Sequence, residues 1–301
     1  MCKKDLSKAI LIVFLFPMFC MAQTYEVGIF MGVSGYQGDL VPEAYESSEF
    51  NLAYGVNFRY NMFQSLSFKA SLNKGRISGA DRNFQDDFHG HATRNLSFES
   101  DIHEFALQAE YNLFGFNVLE NIRQFSPYVF GGIAVYKFNP RAFIRNRWFD
   151  LQPLGTEGQG LEGYPEPYKL TQFSIPMGAG LKISLSDVVN MAFELGLRKT
   201  FTDYLDDVST VYPDLEFLSE QVNSLAAELS YRSPEVNPNA IANPVGNTRG
   251  GAAKDWYFFS GFTLSFNIGA GYNNNKYFRS CLLYTSPSPR DLSTSRMPSS
   301  A

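Results

Sequence analysis

Apolar and polar residues alternate with a period of two along several stretches of this chain, and that pattern constrains the fold more than any other feature. Phe173, Ile175, Met177, Ala179, Leu181 and Ile183 alternate with Gln172, Ser174, Pro176, Gly178, Gly180 and Lys182. Phe105, Leu107, Ala109, Tyr111 and Leu113 alternate likewise with Glu104, Ala106, Gln108, Glu110 and Asn112. Successive side chains of a strand point to opposite faces, so each segment has one apolar and one polar face. Segments at 52–60, 66–72, 191–198 and 256–266 repeat the pattern. The Gly-rich stretches Tyr25–Ser34 and Ser126–Phe138, apolar on both faces, bring the predicted strands to eight.

The connections decide how these strands assemble. Gly35–Phe50, Arg76–Leu96, Asn139–Lys169 and Thr202–Asp255 are long, Asn61–Ser65 and Ser184–Val189 are short, and Phe114–Phe125 is intermediate. Alternating long and short connections predict an all-β fold, an eight-stranded antiparallel transmembrane (outer-membrane) β-barrel with periplasmic turns and long extracellular loops. An even number of strands puts both termini in the periplasm. A sandwich has no need of this alternation, and a soluble lipocalin-like barrel, the alternative, would be apolar inside and more densely charged outside.

Composition agrees with lipid-facing strands. The chain has 28 Phe and 17 Tyr but 2 Trp, and its charged fraction of 18% lies below the roughly 25% of soluble domains. A mean hydropathy of −0.18 excludes an α-helical membrane protein. The net charge of −5, with no basic run, argues against nucleic acid as a partner.

If the apolar face meets lipid, Arg59, Lys69, Lys182 and Arg198 share the lumen with Glu104, Glu110 and Glu194. Eight strands enclose just enough space for side chains, and buried charges must pair, so a salt-bridged plug is expected rather than a pore. A proton or ion path through the same groups is the sharper reading.

Both ends of the sequence stand apart from this pattern. Lys3, Lys4 and Lys8 precede the apolar run Ala9–Phe19, and Cys20 and Ala22 occupy −3 and −1 of a cut before Gln23. Residues 1–22 are therefore expected to be an export signal. A lipoprotein acylated on Cys20 is the alternative, which bulky Phe19 disfavours. Residues 280–301 are Ser/Pro-rich, without periodicity, and look like translated adapter or vector sequence, or else a disordered tail. Residues 23–279 form the expected barrel domain. Past the signal, Cys281 is the last cysteine, so disulfide or thiolate-metal chemistry has no material.

Few residues suggest chemistry. His89 and His91 lie near Asp81, Asp86 and Asp87, types that suit several divalent ions, but their spacing matches no known site. His103 with Ser97 or Ser100 could pair as base and nucleophile at the barrel rim, as in lipid-modifying barrels. Asp203, Asp206 and Asp207 resemble a fragment of a calcium loop without its spacing or terminal Glu. The stretch GTEGQG lacks the lysine of a phosphate loop. No catalytic, cofactor or metal site is assigned, and a non-enzymatic chain is expected.

Several segments taken together are specific. SGYQGDL (Ser34–Leu40), NLSFESDIHE (Asn95–Glu104), SPYVFGGIAVYKFNP (Ser126–Pro140), LQPLGTEGQG (Leu151–Gly160), LTQFSIPMGAGLK (Leu170–Lys182) and RKTFTDYLDDVS (Arg198–Ser209) resemble the PorG-like, DUF6089, family of outer-membrane barrels. The resemblance runs from about Glu26 to Phe266. It implies a part in the type IX secretion machinery of gliding gram-negative bacteria, alongside a periplasmic ring of lipoprotein and partner subunits, with outer-membrane lipid around the barrel. It carries over no catalytic residue. An adhesion or integrity barrel is the alternative function.

Two of these motifs fall in long connections on the same side. Gly155, Thr156, Glu157, Gly158, Gln159 and Gly160 lie in the fifth, and Thr202, Asp203, Tyr204, Asp206 and Asp207 in the seventh. The glycines permit positive φ, so backbone N–H groups could face Asp203 or Asp206, and the two motifs are expected to pack together and close the barrel mouth. The Pro/Asn-rich stretch Ser233–Asn247 is expected to be mobile instead.

Overall fold

A computed structural model describes residues 24–43, 46–84, 91–116, 125–251 and 253–268. The proposed export signal, the C-terminal tail, and Asp86, Asp87 and His89 lie outside these residues. Ten strands form one antiparallel sheet. They are β1 (Thr24–Gln37), β2 (Asn51–Asn61), β3 (Leu66–Ala80), β4 (Ser97–Asn112), β5 (Phe125–Lys137), β6 (Pro140–Ile144), β7 (Arg147–Asp150), β8 (Thr171–Ser184), β9 (Val189–Thr200) and β10 (Trp256–Ile268). Pairing runs β3-β2-β1-β10-β9-β8-β5-β4, and β4 returns to β3, so these eight strands close into a barrel. Closure pairs each of these eight strands on both sides and leaves β7 as the edge of the sheet. At the β1–β10 seam Gly32 faces Gly261, and a Cβ on Gly32 would lie 2.1 Å from the Ser260 carbonyl oxygen, so this close approach needs glycine.

The strands β6 and β7 form a hairpin within the connection read from sequence as a single long loop. Its two-residue turn, Arg145–Asn146, has positive φ at both positions (50° and 62°), as a type I′ turn requires. The usual Asn-Gly or Asp-Gly signature is absent, which is why the sequence does not announce it. Strands β3 and β4 are also longer than the alternation suggests: Arg76–Ala80 and Ser97–Asp101 pair with each other rather than belonging to a loop.

The reason is an inversion of faces partway up the wall. In the lower barrel Leu72, Phe105, Leu107, Val129 and Ile133 are exposed and face outward, while polar groups fill the interior. Above the level of Lys74 and His103 the order reverses. Ile77, Phe98 and Ile102 are buried inside, and Glu99, Asp101 and Arg76 lie outside in salt bridges. Strands of 15 and 16 residues exceed the 9–11 that a bilayer crossing needs, and the upper parts of β3 and β4 carry the pattern of a soluble protein. The apolar core lies there, built by inward strand residues together with Leu40, Leu96, Leu151, Leu205, Val208 and Leu229 from the loops.

The four long connections all emerge at this end, whereas the short turns, the start of β1 and the end of β10 lie at the other. The seventh connection carries two short helices, α1 (Leu215–Gln221) and α2 (Ser224–Ser230), each N-capped by a side chain, Asp214 and Asn223.

A charge placed in the exposed belt tests this division. Arg at Leu107 or Leu181 is expected to cost about 2–4 kcal/mol if near the bilayer midplane, while Arg at Trp148, exposed on the β6–β7 hairpin, is expected to cost close to nothing. Urea titration of folding into lipid vesicles measures both. Similar costs at Leu107 and Trp148 would show that the belt does not meet lipid.

Candidate functional site

The barrel interior is a network of ion pairs with Glu110 at its centre. Arg59 Nε lies 2.9 Å from one Glu110 oxygen, Lys182 Nζ 2.6 Å from the same oxygen, and Lys69 Nζ 3.3 Å from the other. Arg59 also reaches Glu26 at 2.6 Å, and Lys69 reaches Glu194 at 2.5 Å. Higher up, Arg198 pairs with Glu104 at 3.1 Å. Hydroxyls and amides complete the acceptors: Tyr128 donates to Glu194, Tyr257 to Glu104, and Asn61 and Ser265 to Glu26. Lys182 Nζ also sits 4.6 Å from the Tyr128 ring centroid, and the Arg198 guanidinium 4.9 Å from that of Phe259, both cation–π contacts.

Of the lumen residues proposed from the sequence, Arg59, Lys69, Lys182, Glu110 and Glu194 join one network, and Arg198 and Glu104 form a separate pair above it. The sequence reading missed Glu26. It stands in β1, where glycines make the two faces look alike, yet its parity with Gly28 and Phe30 points it inward. Charge balance is the available signal, since the alternation sets four cations against three carboxylates. With Glu26 the pairing closes at four of each, namely Arg59, Lys69, Lys182 and Arg198 against Glu26, Glu104, Glu110 and Glu194. The cavity among Lys69, Glu194 and Arg198 has a volume of about 10 Å³, room for one water at most.

A second polar cluster lies in the loops above. Thr156 Oγ1 donates to Asp207 Oδ2 at 2.5 Å and Tyr168 OH to Asp207 Oδ1 at 2.6 Å. The amide of Ser209 donates to Glu157 Oε1 at 2.8 Å. The fifth and seventh connections therefore touch, but through the threonine hydroxyl and the Glu157 carboxylate rather than through backbone amides of the glycines. Gly155, Gly158 and Gly160 do take positive φ (57°, 80° and 87°), which shapes the turn around Thr156, and Gln159 folds back to accept from the Glu157 amide. Asp203 accepts from Ser209, and Tyr204 stacks on Tyr168 at 4.9 Å. The Thr202 carbonyl accepts from both the Asp255 amide and the Thr200 hydroxyl.

Asp206 turns the other way, toward the first connection. Tyr36 of the SGYQGDL segment donates to it at 2.5 Å and stands 3.3 Å from Asp255. Two arginines that the sequence did not single out bind the loops together. Arg249 reaches Glu157, the Asp207 carbonyl and the Ser230 carbonyl, and Arg94 holds Asp81 with two nitrogens while donating to the carbonyls of Asp39 and Arg249. Neither sits in a locally distinctive pattern; only the surplus of loop carboxylates hinted at buried partners. In the stretch read as mobile, Ser233 is buried and the Asn247 carbonyl accepts from the Tyr212 amide.

The remaining chemical candidates do not converge. Ser100 is buried inside and His103 exposed outside, and Ser97 stands six residues from His103, about 20 Å along the strand. No base–nucleophile pair forms between them. Asp81 is committed to Arg94, and Asp203, Asp206 and Asp207 each face a different partner. Among the described residues no group of three His, Cys, Asp or Glu could hold a metal ion.

The cap carboxyls are protonation-sensitive. Burial pushes Asp207 up to about 6 against the opposing pull of Arg249, Thr156 and Tyr168. Burial raises Asp39 to about 6 as well, despite the Gly251 amide, and lifts Asp206 and Asp255 well above the ordinary carboxylate range, each reinforced by a neighbouring aspartate.

A family described as a domain of unknown function, DUF6089, has a sequence profile that matches residues 4–221. No curated protein matches the chain. Among solved structures, Ail of Yersinia pestis bound to the heparin analogue sucrose octasulfate is 8% identical with a TM-score of 0.38, over 82% of this chain and 100% of Ail. Neisserial surface protein A is 6% identical, TM-score 0.40, over 82% and 100%. A major outer membrane protein from Thermus thermophilus is 10% identical, TM-score 0.39, with the same coverage. The barrel assignment rests on the strand pairing itself.

Two tests follow from these clusters. Replacing Glu110 with Gln leaves three buried cations short of a charge and is expected to cost about 3–5 kcal/mol, against less than about 1 kcal/mol for Glu99→Gln on the surface. Equal urea midpoints for the two variants would remove Glu110 from its central place. In the cap, folded-state pKa values lie above the unfolded ones, so the stabilising contribution is complete below about pH 4 and lost as pH rises through about 6. Hydrogen exchange at the Leu205, Val208 and Ser209 amides, corrected for intrinsic rates, is expected to show protection falling between pH 4 and 7. Constant or rising protection would contradict this sign.

Proposed function

The chain belongs to the DUF6089 family, and from that premise we propose that it is a non-enzymatic outer-membrane barrel serving as an anchoring component of a secretion assembly. The observation that carries this reading is closure: a lumen whose charges cancel around a cavity of about 10 Å³, under a cap tied together by Arg94 and Arg249. A plugged barrel gives solutes no path, which leaves its wall, its cap surface and its short-turn end for work. The continuous belt of exposed Phe, Leu, Ile and Val on the lower wall supports residence in lipid, since soluble monomers rarely expose so large an apolar surface.

The short-turn end carries exposed Met62, Phe63, Leu185 and Val188, apolar groups that a partner subunit could cover. In this reading that end and both termini face the periplasm. The resemblance of the six quoted segments to PorG-like barrels supports the type IX machinery as the assembly, with lipoprotein ring subunits as neighbours. An adhesion barrel is the second reading, favoured by exposed Phe143 and Trp148 on the hairpin at the opposite end.

Photocrosslinkers at Phe63, Leu185 and Trp148 in native outer membranes separate the two. Adducts with periplasmic ring lipoproteins from Phe63 or Leu185 are expected. Adducts from Trp148 alone, to molecules outside the cell, would replace the anchoring role with adhesion.

A further inference from the structure

The outer wall carries a furrow between two horizontal rows of outward side chains. The lower row follows the register Ile29, Val56, Leu72, Phe105, Val135 across β1 to β5, each residue paired with the next on the adjoining strand. The upper row begins with Met31 and Tyr54 and continues, again strand to strand, through Lys74, His103 and Lys137 to Thr171. The furrow between them has a volume of about 730 Å³. A second hollow of about 410 Å³ adjoins it above, sharing His103 and Lys137 and bounded by Asp101, Asn139 and Arg141.

The charges in this place are unbalanced. Lys74 and Lys137 stand on either side of His103, and the row holds no carboxylate to balance the two lysines. The carboxylates above are engaged with other cations: Glu99 with Arg76 and Arg141, and Asp101 with Arg76 at 2.9 Å. Lys74 and Lys137 make no ion pair among the described residues, although Lys74 does act on Asp101 through space. The row also sits where the wall inverts from apolar-outside to charged-outside, which is the level of lipid headgroups for a barrel seated by its belt.

We propose that this furrow binds a phosphorylated lipid of the outer leaflet, with its phosphate on Lys74, His103 and Lys137 and an acyl chain along the lower row. The inference rests on the outer-membrane placement proposed above. A lipid fits where a protein partner does not, because the lower row lies within the belt already surrounded by acyl chains. The apolar floor supplies contact with the chain. The row of cations supplies charge-assisted hydrogen bonds to the phosphate. Free phosphate could use the upper row but would leave the furrow empty.

The full chain, folded into phosphatidylcholine vesicles containing a small fraction of diphosphorylated lipid A, tests the site. Lipid retained on the protein is read by native mass spectrometry after extraction into mild detergent. Lys74→Gln and Lys137→Gln are each expected to reduce retained lipid A about fivefold and together about thirtyfold, given roughly 1 kcal/mol per lysine near an anionic surface. The double Lys→Arg variant is expected to keep it. Lipid A stripped of its phosphates should be retained at the level of the double Gln variant, and inorganic phosphate should not compete. Unchanged retention in the double Gln variant, equal retention of the stripped lipid, or full displacement by inorganic phosphate would each overturn the proposal. A chain that folds in vesicles without lipid selectivity sinks this site alone, whereas one that does not insert sinks the membrane placement too.

Discussion

Glu110 receives three cations while fully buried inside the barrel, and the rest of the barrel is arranged around making that tolerable. Removing a charge from water costs several kcal/mol, which attraction repays only with close geometry and with the remaining lone pairs satisfied. Here the repayment comes from strands far apart in sequence: Arg59 from β2, Lys69 from β3 and Lys182 from β8 meet a carboxylate from β4. Glu26, Glu104 and Glu194 extend the network to β1 and β9. Such a plug ties opposite walls together and specifies the register, because shifting a strand by one residue would turn its charge onto the apolar outer face.

The upper third follows different physics. There the apolar residues lie inside and the charged ones outside, as in a water-soluble protein, and a conventional core forms under the loops. Four of the segments that carry the family resemblance meet there. Tyr36 of the first bonds Asp206 of the last, Thr156 bonds Asp207, and the strand entered from Asn95 is held by Arg94 and Asp81. The carboxyls are held by hydroxyls and buried arginines, and some of their oxygens, such as Asp39 Oδ2 and Asp203 Oδ1, find no donor among the described residues. That is the arrangement expected of acids that keep a proton when buried. The cap is thereby held in part by carboxyls whose protonation changes with pH.

With the lumen filled and the mouth covered, recognition shifts to surfaces. The wall divides into an apolar belt, a row of cations at the level of inversion and a charged collar of Arg76, Glu99, Asp101 and Arg141. The short-turn end presents exposed apolar side chains instead. In the proposed reading, lipid at the belt and protein at the turn end are compatible occupants.

The alternation of residues such as Phe105 to Leu113 is local, because a strand sends successive side chains to opposite faces whatever surrounds it. The sequence by itself therefore determined the strands of the lower barrel, their number, the apolar face that points outward and the charged residues of the lumen apart from Glu26. It did not mark Arg76–Ala80 or Ser97–Asp101 as strand, because the meaning of polar and apolar reverses there, nor the β6–β7 hairpin, whose Arg145–Asn146 turn lacks glycine. Which carboxylate each cation meets, and that Arg94 and Arg249 hold the cap, only the tertiary structure decided. Lys69 and Glu194 are 125 positions apart, and Arg249 and Glu157 are 92. Pairings at that separation depend on how the barrel closes and where its loops fold back, and no local pattern encodes either.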